Sequence, residues 1–392
     1  MTDPIPDLTT DPMPGPVTDR RAARGAERRT TGDGSRGTDR RAVLRAGAAA
    51  ALVLGGAAGC TSGGKSQAAG SSSSATASPA TPSVASTATP TATSAAPTGS
   101  PAGSPTAAPT PIPTPTPLPQ PPLWRPGPSE IQPDVKLRAV ELVAALGAWP
   151  PGGQGVEAAR ARVAALGLPP ALADQAGPLA PPAVEASLEV IVAQYGGILT
   201  DSASVLVVCR QWTRGADGSV AEGGTTVDVR LSRAAPRWTV TELHPGVAGP
   251  AVTPPPPAVA RVLAEPRIEL PPEAAADLRS GTVHDSVPEA MLRLAGPYTL
   301  SVSVVRTGHP LDVFGTTRPS DHPPGRAFDV WRIDGMAVVD PATPRRLIES
   351  FMRDAAAAGS YNVGGPVVIP GAGNQFFTDD THHDHCHIGF DH

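Results

Sequence analysis

Two kinds of hydrophobic periodicity follow one another in residues 128–250. Apolar residues recur at steps of three and four over residues 135–146 and again over 153–166, which predicts two amphipathic helices. Alternation with a period of two follows and predicts the strands of an antiparallel meander, at residues 188–192, 204–212, 226–231 and 238–243. The polar residues 215–224 read as a turn region between two of those strands.

Helices followed by a curled antiparallel sheet predict that residues 128–250 form a small α+β module. Similar folds are the nuclear-transport-factor-like cone and the cystatin-like sheet. This segment has no cluster of acids, histidines or phosphate-binding glycines. We therefore interpret it as a folded spacer or interaction module; the alternative is a ligand-binding cone.

A run of four prolines, residues 254–257, separates this module from a second α+β domain at residues 258–392. Its pattern alternates between helices and strands. The predicted helices are residues 258–263, 271–278, 287–294 and 341–358, and the predicted strands are 298–305, 325–333, 367–369 and 385–390. Strands with intervening helices favour a sheet with a cleft on one face.

The segment of residues 61–127 has a different composition. It consists mainly of Ser, Ala, Thr, Pro and Gly, and most of it lacks charged and aromatic residues. Such a chain cannot bury enough apolar surface to offset its conformational entropy, so we expect a disordered spacer. Its alternating Thr and Pro residues favour an extended, stiff conformation.

Residues 1–60 read as an export signal. Arg40 and Arg41 resemble a twin-arginine motif, and a short Ala- and Gly-rich apolar run follows them. Cys60 stands at the end of a sequence that resembles a bacterial lipoprotein cleavage box. We expect the twin-arginine machinery to export the chain. A lipid on Cys60 would hold it at the outer face of the cytoplasmic membrane, and the spacer would extend it into the cell wall.

Charge and cysteine content narrow the possible partners. The net charge is −5, from 31 Lys and Arg against 36 Asp and Glu, which argues against nucleic acid and against binding through a polybasic surface. If Cys60 carries a lipid, Cys209 and Cys386 remain. Both lie in apolar, strand-like contexts, either as buried free thiols or as an interdomain disulfide.

Two motifs in the second domain carry candidate chemistry. Residues 320–329 read Ser-Asp-His-Pro-Pro-Gly-Arg-Ala-Phe-Asp, and residues 384–387 read Asp-His-Cys-His. A catalytic zinc ion needs three protein ligands and one open position, and His322, Asp329 and His387 would supply such a set. Because side chains alternate along a strand, His385 shares the face of His387, and Cys386 points toward a core.

These motifs resemble those of the zinc D-alanyl-D-alanine carboxypeptidases, whose relatives include wall endopeptidases and the hedgehog signalling domain. The resemblance spans residues 304–390. It implies that His322, Asp329 and His387 bind Zn²⁺ and that Asp384 is the general base. It also implies that His385 stabilises the oxyanion and that Arg306 polarises the substrate. The family's usual Tyr-Arg-Ser turn is Val-Arg-Thr at residues 305–307.

The sequence thus predicts an exported, lipid-anchored zinc metallopeptidase that hydrolyses an amide bond in peptidoglycan peptides or another extracellular peptide. A non-catalytic zinc lipoprotein that binds the wall or a protein is the alternative. A third possibility is a metal-scavenging, histidine-rich tail. His309, His382 and His383 are interpreted as loop residues or neighbours of the ligands, although residues 379–384 offer competing acids and imidazoles.

Overall fold

The computed structural model describes residues 116–370 and 373–392. Helices combine with one antiparallel and one mixed sheet, which confirms the α+β class. The predicted export signal with Arg40, Arg41 and Cys60, and the spacer up to residue 115, lie outside the described residues. Among the residues described, no helix has the length and apolar character that a membrane crossing requires.

The first sheet is an antiparallel meander of five strands. They are β1 (Glu185–Ile198), β2 (Ser202–Arg214), β3 (Val220–Gly223), β4 (Thr226–Ser232) and β5 (Thr239–Pro245). The order is β1-β2-β4-β5, with β3 paired to the end of β2. The segment predicted as a turn region therefore contains a strand, and its four exposed residues explain why no apolar alternation marks it.

Helices α1 (Pro133–Gly147) and α2 (Val156–Ala165) contribute to the core on one face of this sheet. In β2, Val205, Val207 and Cys209 point toward these helices, and Leu206 and Val208 lie on the opposite face. Both faces of β2 are consequently buried. Residues 116–127, assigned to the spacer by composition, also lie against this module: Leu118 is buried, and the Arg214 guanidinium donates to the Thr116 carbonyl.

The second sheet has seven strands in the order β11-β10-β12-β8-β7-β6, with β9 paired to β8. The strands are β6 (Ile268–Glu269), β7 (Leu300–Val302), β8 (Ala327–Ile333), β9 (Met336–Ala337), β10 (Asn362–Gly364), β11 (Phe376–Phe377) and β12 (Cys386–Gly389). The core beside it includes residues from α3 (Pro257–Ala264), α4 (Pro272–Arg279), α5 (Ser286–Leu294) and α6 (Arg345–Ala357).

Because side chains alternate along β8 and β12, one face of this sheet is apolar and the other carries the polar candidate ligands. Phe328, Val330 and Ile388 belong to the core that the helices share. Asp329 and His387 are paired across the two strands and point the other way, toward the first sheet. Cys386 also lies in the helix-side core, as predicted, and both it and Cys209 are free, buried thiols.

The two sheets meet through a small apolar contact and belong to one compact unit. Val192, Leu206 and Val208 of the first sheet lie against Val304, and Trp331 of β8 packs beside them. The reverse face of the meander therefore covers the face of the second sheet that carries Asp329 and His387.

The predicted strand at residues 367–369 is wrong. Strand pairing occurs earlier, in β10, and Val368 is exposed. Pro366 and Pro370 flank the apolar triplet and lack the N–H groups that a ladder needs, which explains why the triplet forms no strand. The strand predicted at residues 298–305 is shorter: β7 ends at Val302, and its pairing with β8 contains a register shift between Ser301 and Val302.

We predict that Gly325, which precedes β8, cannot be replaced by alanine without displacing the loop. Its φ is +75°, and an added Cβ would lie 2.4 Å from the Thr282 carbonyl oxygen. Gly335 is the matched control: its φ is +78°, but its Cβ would meet nothing within 4 Å. In urea unfolding, Gly335→Ala should cost about 1–2 kcal/mol and Gly325→Ala about 3 kcal/mol or more, since a backbone clash adds to the strain. Equal losses would contradict the clash.

Candidate metal centre

Strand pairing brings two of the predicted ligands together. In the antiparallel pair β8–β12, His387 stands directly opposite Asp329. Side chains opposite one another in such a pair have Cβ atoms about 5 Å apart. His387 Nδ1 consequently lies 3.1 Å from Asp329 Oδ1.

The loop before β8 adds the third predicted ligand. The His322 ring lies with Nε2 3.1 Å from Asp329 Oδ1 and 3.1 Å from His387 Nδ1. Its other nitrogen, Nδ1, lies 2.8 Å from the Val305 carbonyl oxygen and donates to it. His322 and Asp329 have no exposed surface, and His387 is 6% exposed.

The arrangement of the three donor atoms suits a bound cation better than hydrogen bonds among the three side chains. With Nδ1–H donated to Val305, a neutral His322 presents a lone pair on Nε2. That lone pair faces the Asp329 carboxylate, which is also an acceptor when it is ionised. Burial opposes the charged form of Asp329, yet the His322 and His385 imidazoles and hydrogen bonds hold its pKa well below the ordinary value. His322 Nε2 and Asp329 Oδ1 therefore present converging electron pairs, as a metal site requires.

The surroundings of His387 are also anionic. Asp321 lies 3.9 Å from His387 Nε2, too far for a direct hydrogen bond, and is itself held by the Tyr361 hydroxyl. Burial lowers the pKa of His387, but the carboxylates of Asp321 and Asp329 outweigh it and raise the pKa to about 9. The site thus attracts positive charge from two sides.

His309 belongs to this centre more closely than the sequence suggested. Its ring stacks on His322, with centroids 4.1 Å apart, and it can join His322 and Asp329 around one metal ion. Its Nδ1 lies 3.0 Å from the Pro310 carbonyl oxygen, so Nε2 is the nitrogen left to bind an ion. The sequence identified His309 only as a loop residue or neighbour of the ligands, because nothing in the local pattern predicts that its ring stacks on His322.

Asp384 does not present a free carboxylate to the three donor atoms. Its Oδ2 accepts from Lys136 Nζ at 2.5 Å and from the Tyr195 N–H at 3.1 Å. Its Oδ1 accepts from His385 Nδ1 at 2.5 Å. Although burial opposes ionisation, Lys136 and His385 hold the pKa of Asp384 far below its usual range. A strongly acidic, fully engaged carboxylate is a poor proton acceptor near neutral pH.

His385 is held by Asp384 and turned toward the centre. Because Nδ1–H is donated to Asp384, the Nε2 atom of the neutral ring is left with a lone pair. That atom lies 3.8 Å from Asp329 Oδ2. The resemblance assigned both Asp384 and His385 to catalysis. Of these two residues, His385 is the one with a free ring nitrogen, Nε2, that faces the candidate metal ligands.

A second group of potential ligands, Glu130, His383 and Asp384, contains its own cation. Lys136 from α1 is fully buried and makes ion pairs with both Glu130 and Asp384. His383 Nε2 lies 3.3 Å from Glu130 Oε2 and completes the group. An ammonium between two carboxylates supplies the charge that a metal would bring, so this group is a salt-bridge network.

Arg306 is not brought to the same cleft as His385. Its backbone N–H donates to Asp277, and its guanidinium Nε donates to the Pro323 carbonyl at 3.2 Å. It lines a cleft of about 740 Å³, here called the arginine cleft, with Arg230, Asp228, His244, Thr307 and His309. His309, Val313 and Phe314 line both this space and the cavity that His385 borders.

Of the three candidate metal ligands, His387 borders a different space, the histidine cleft, of about 620 Å³. Both sheets contribute to it, and its lining includes Tyr195, His309, Asp321, His382, His385 and His387. His382 is bound to Asp379 through Nδ1 at 2.7 Å and stands at the wall. A molecule in this cleft would lie beside His385 and His387.

We predict that Lys136 is essential to stability because it neutralises two buried carboxylates. Lys136→Met leaves Glu130 and Asp384 without their counter-ion and should cost about 3–5 kcal/mol in urea unfolding. Arg353→Met removes an exposed ion pair with Glu349 and should cost less than about 1 kcal/mol. A loss below 1 kcal/mol for Lys136→Met would contradict the network's role.

Comparison with known proteins adds no family to this picture. No protein-family model, no characterised protein and no solved structure matches the chain. The functional interpretation rests on the motifs of the chain and on the geometry of its side chains.

Proposed function

We propose that this chain is a zinc-dependent hydrolase that cleaves an amide bond in a cell-wall peptide. The observation that carries the proposal is the triangle of donor atoms from His322, Asp329 and His387, each 3.1 Å from the other two. A tetrahedral zinc ion with bonds of 2.0–2.1 Å keeps its ligand atoms about 3.3 Å apart. Two imidazoles and one carboxylate are also ligand types that zinc prefers.

In this proposal the three donors of the triangle are the whole ligand set and His309 stays outside it, which makes the site catalytic and not a closed structural one. Structural zinc sites use four protein ligands, whereas catalytic sites use three and keep one position open. His322 and Asp329 are fully buried, and His387 borders the histidine cleft. Zinc held there would supply Lewis acidity, which polarises a carbonyl group and increases the acidity of water.

His385 handles the protons in this reaction, and Asp384 positions its ring. His385 Nε2 accepts a proton as a neutral imidazole and can return it as an imidazolium. Asp384 fixes the tautomer and orientation of the ring through Nδ1, and Lys136 in turn holds Asp384. Asp384, assigned as general base by the resemblance, is in this scheme a positioning residue.

The substrate class comes from the sequence. The motifs resemble those of enzymes that cut wall peptides next to D-residues. The export signal and lipid anchor would place the chain where such peptides occur. The histidine cleft is large enough to hold part of an extended peptide. The proposal therefore combines zinc as cofactor, peptidoglycan peptides as substrate and the outer face of the cytoplasmic membrane as location.

A second function is a non-catalytic zinc domain that binds wall material or a protein. Two contacts favour it: Asp384 is committed to Lys136, and Arg306 lines the arginine cleft. Without these two groups at the metal ligands, a hydrolase of the resembled family lacks its assigned base and its substrate-polarising cation.

We predict that the full chain, loaded with zinc, releases a peptide or D-alanine from purified muropeptides and that a chelator stops the release. His322→Ala removes one of three ligands and should abolish both zinc binding and release. His284→Ala, at an exposed histidine whose ring bonds Ser286, is the matched control and should change neither.

His385→Gln separates the two functions, because it leaves the three ligands in place. Release lost with zinc retained supports hydrolysis through His385. Zinc binding and muropeptide binding without release from the wild-type chain would refute the hydrolase and support the binding domain.

The location has its own prediction. Cys60→Ala removes the sulfur that a lipid would modify, so the variant should move from the membrane fraction to the soluble fraction of the producing cells. Membrane retention equal to wild type would contradict lipid anchoring. The motif variant Arg40→Lys with Arg41→Lys should instead retain the chain inside the cell.

A further inference from the structure

One residue of the first sheet touches a proposed metal ligand directly. The Gln194 side chain donates from Nε2 to Asp329 Oδ2 at 2.7 Å. The other oxygen of that carboxylate, Oδ1, is the atom that faces His322 and His387. Gln194 has no exposed surface, so water does not compete for this bond.

The strand pattern explains why Gln194 can reach across. Ala193 and Tyr195 belong to the core beneath α1, whereas Val192 belongs to the contact between the two sheets. With a period of two, Gln194 shares the face of Val192 and points at the second sheet. The next residue, Tyr195, donates its backbone N–H to Asp384. Two consecutive residues of β1 thus bond to Asp329 and Asp384.

The orientation of the Gln194 amide is fixed by its partner. Asp329 Oδ2 is an acceptor, so the NH₂ end must face it, and the Oε1 atom remains buried without a hydrogen-bond partner among the described residues. A fully buried amide oxygen without a hydrogen-bond partner lowers the stability of the folded chain, so its presence needs an explanation. Such exceptions are expected where a side chain serves a site.

We propose that Gln194 is a positioning residue of the metal centre, so that the first module is part of that centre and not a spacer. This inference rests on the proposed zinc site. The hydrogen bond to Oδ2 fixes the rotation of the Asp329 carboxylate and leaves Oδ1 as the single oxygen directed at the two imidazoles. Hydrogen bonds that orient a ligand in this way change metal affinity about 10- to 100-fold when they are removed.

The test compares zinc affinity in three full-length chains by competition with a chromophoric chelator. Gln194→Met has a similar volume but no donor, and it should weaken zinc binding about 10- to 100-fold. Gln211→Met is the matched control. Gln211 is a buried glutamine of β2, and its amide donates to the Gly147 and Leu179 carbonyls, away from the ligands. Gln211→Met should lower the free energy of unfolding and leave zinc affinity unchanged.

A spectroscopic measurement separates positioning from stability. With Co²⁺ in place of zinc, the visible absorption bands report the ligand geometry. They should shift in Gln194→Met and stay at their wild-type positions in Gln211→Met. If Gln194→Met does not fold, Gln194→Asn replaces it, because a side chain one methylene shorter loses the reach to Asp329.

The outcomes distinguish this inference from the proposed function. A wild-type chain that binds no zinc overturns both. A wild-type chain that binds zinc, with Gln194→Met or Gln194→Asn unchanged in affinity and in the Co²⁺ spectrum, overturns the role of Gln194 alone. Equal loss of affinity in Gln211→Met would likewise reduce the effect to general destabilisation and overturn it.

Discussion

The ionised carboxylate of Asp329, with no exposed surface, is the constraint that organises this structure. A buried charge is tolerated only when charges and hydrogen bonds surround it. Here two imidazoles approach one oxygen and an amide from the other sheet approaches the second. The sheets must therefore meet in one register, and the apolar contact around Val304 and Trp331 holds them there.

The buried Asp329 centre can form because the two faces of the sheet carry different kinds of side chain. Along β8 and β12, successive residues alternate between the core packed on the helices and the opposite face, where Asp329 and His387 lie. The polar residues therefore do not interrupt the apolar core. The same alternation in β1 sends Val192 and Gln194 one way and Tyr195 the other. A period of two in three strands thus places apolar packing on one face of each strand and the candidate metal ligands or their partner on the other.

The sequence predicted most elements and the motif residues, because both depend on local pattern. Helix α1, the meander and the β12 strand follow from periodicity, and the 320–329 motif directed attention to His322 and Asp329. The contacts of Lys136 and Gln194 did not follow, since their partners Asp384 and Asp329 are 248 and 135 positions away. A charged or amide residue within an apolar periodic segment signals a buried partner but does not name it. The short strands β6, β9 and β11 are set by neighbouring strands and carry too few residues for a period.

Residues of the first module hold Asp384 and Asp329 of the second domain, and this affects where the chain can be cut into fragments. A fragment that starts after the proline run would retain His322, Asp329 and His387 but would leave Asp384 without its ammonium partner and open the covered sheet face to water. The complementary fragment would carry a buried lysine with one carboxylate fewer. An isolated C-terminal domain would for that reason lack groups that surround the candidate ligands, and any exchange of that domain between proteins would have to include the strand and helix that cover it.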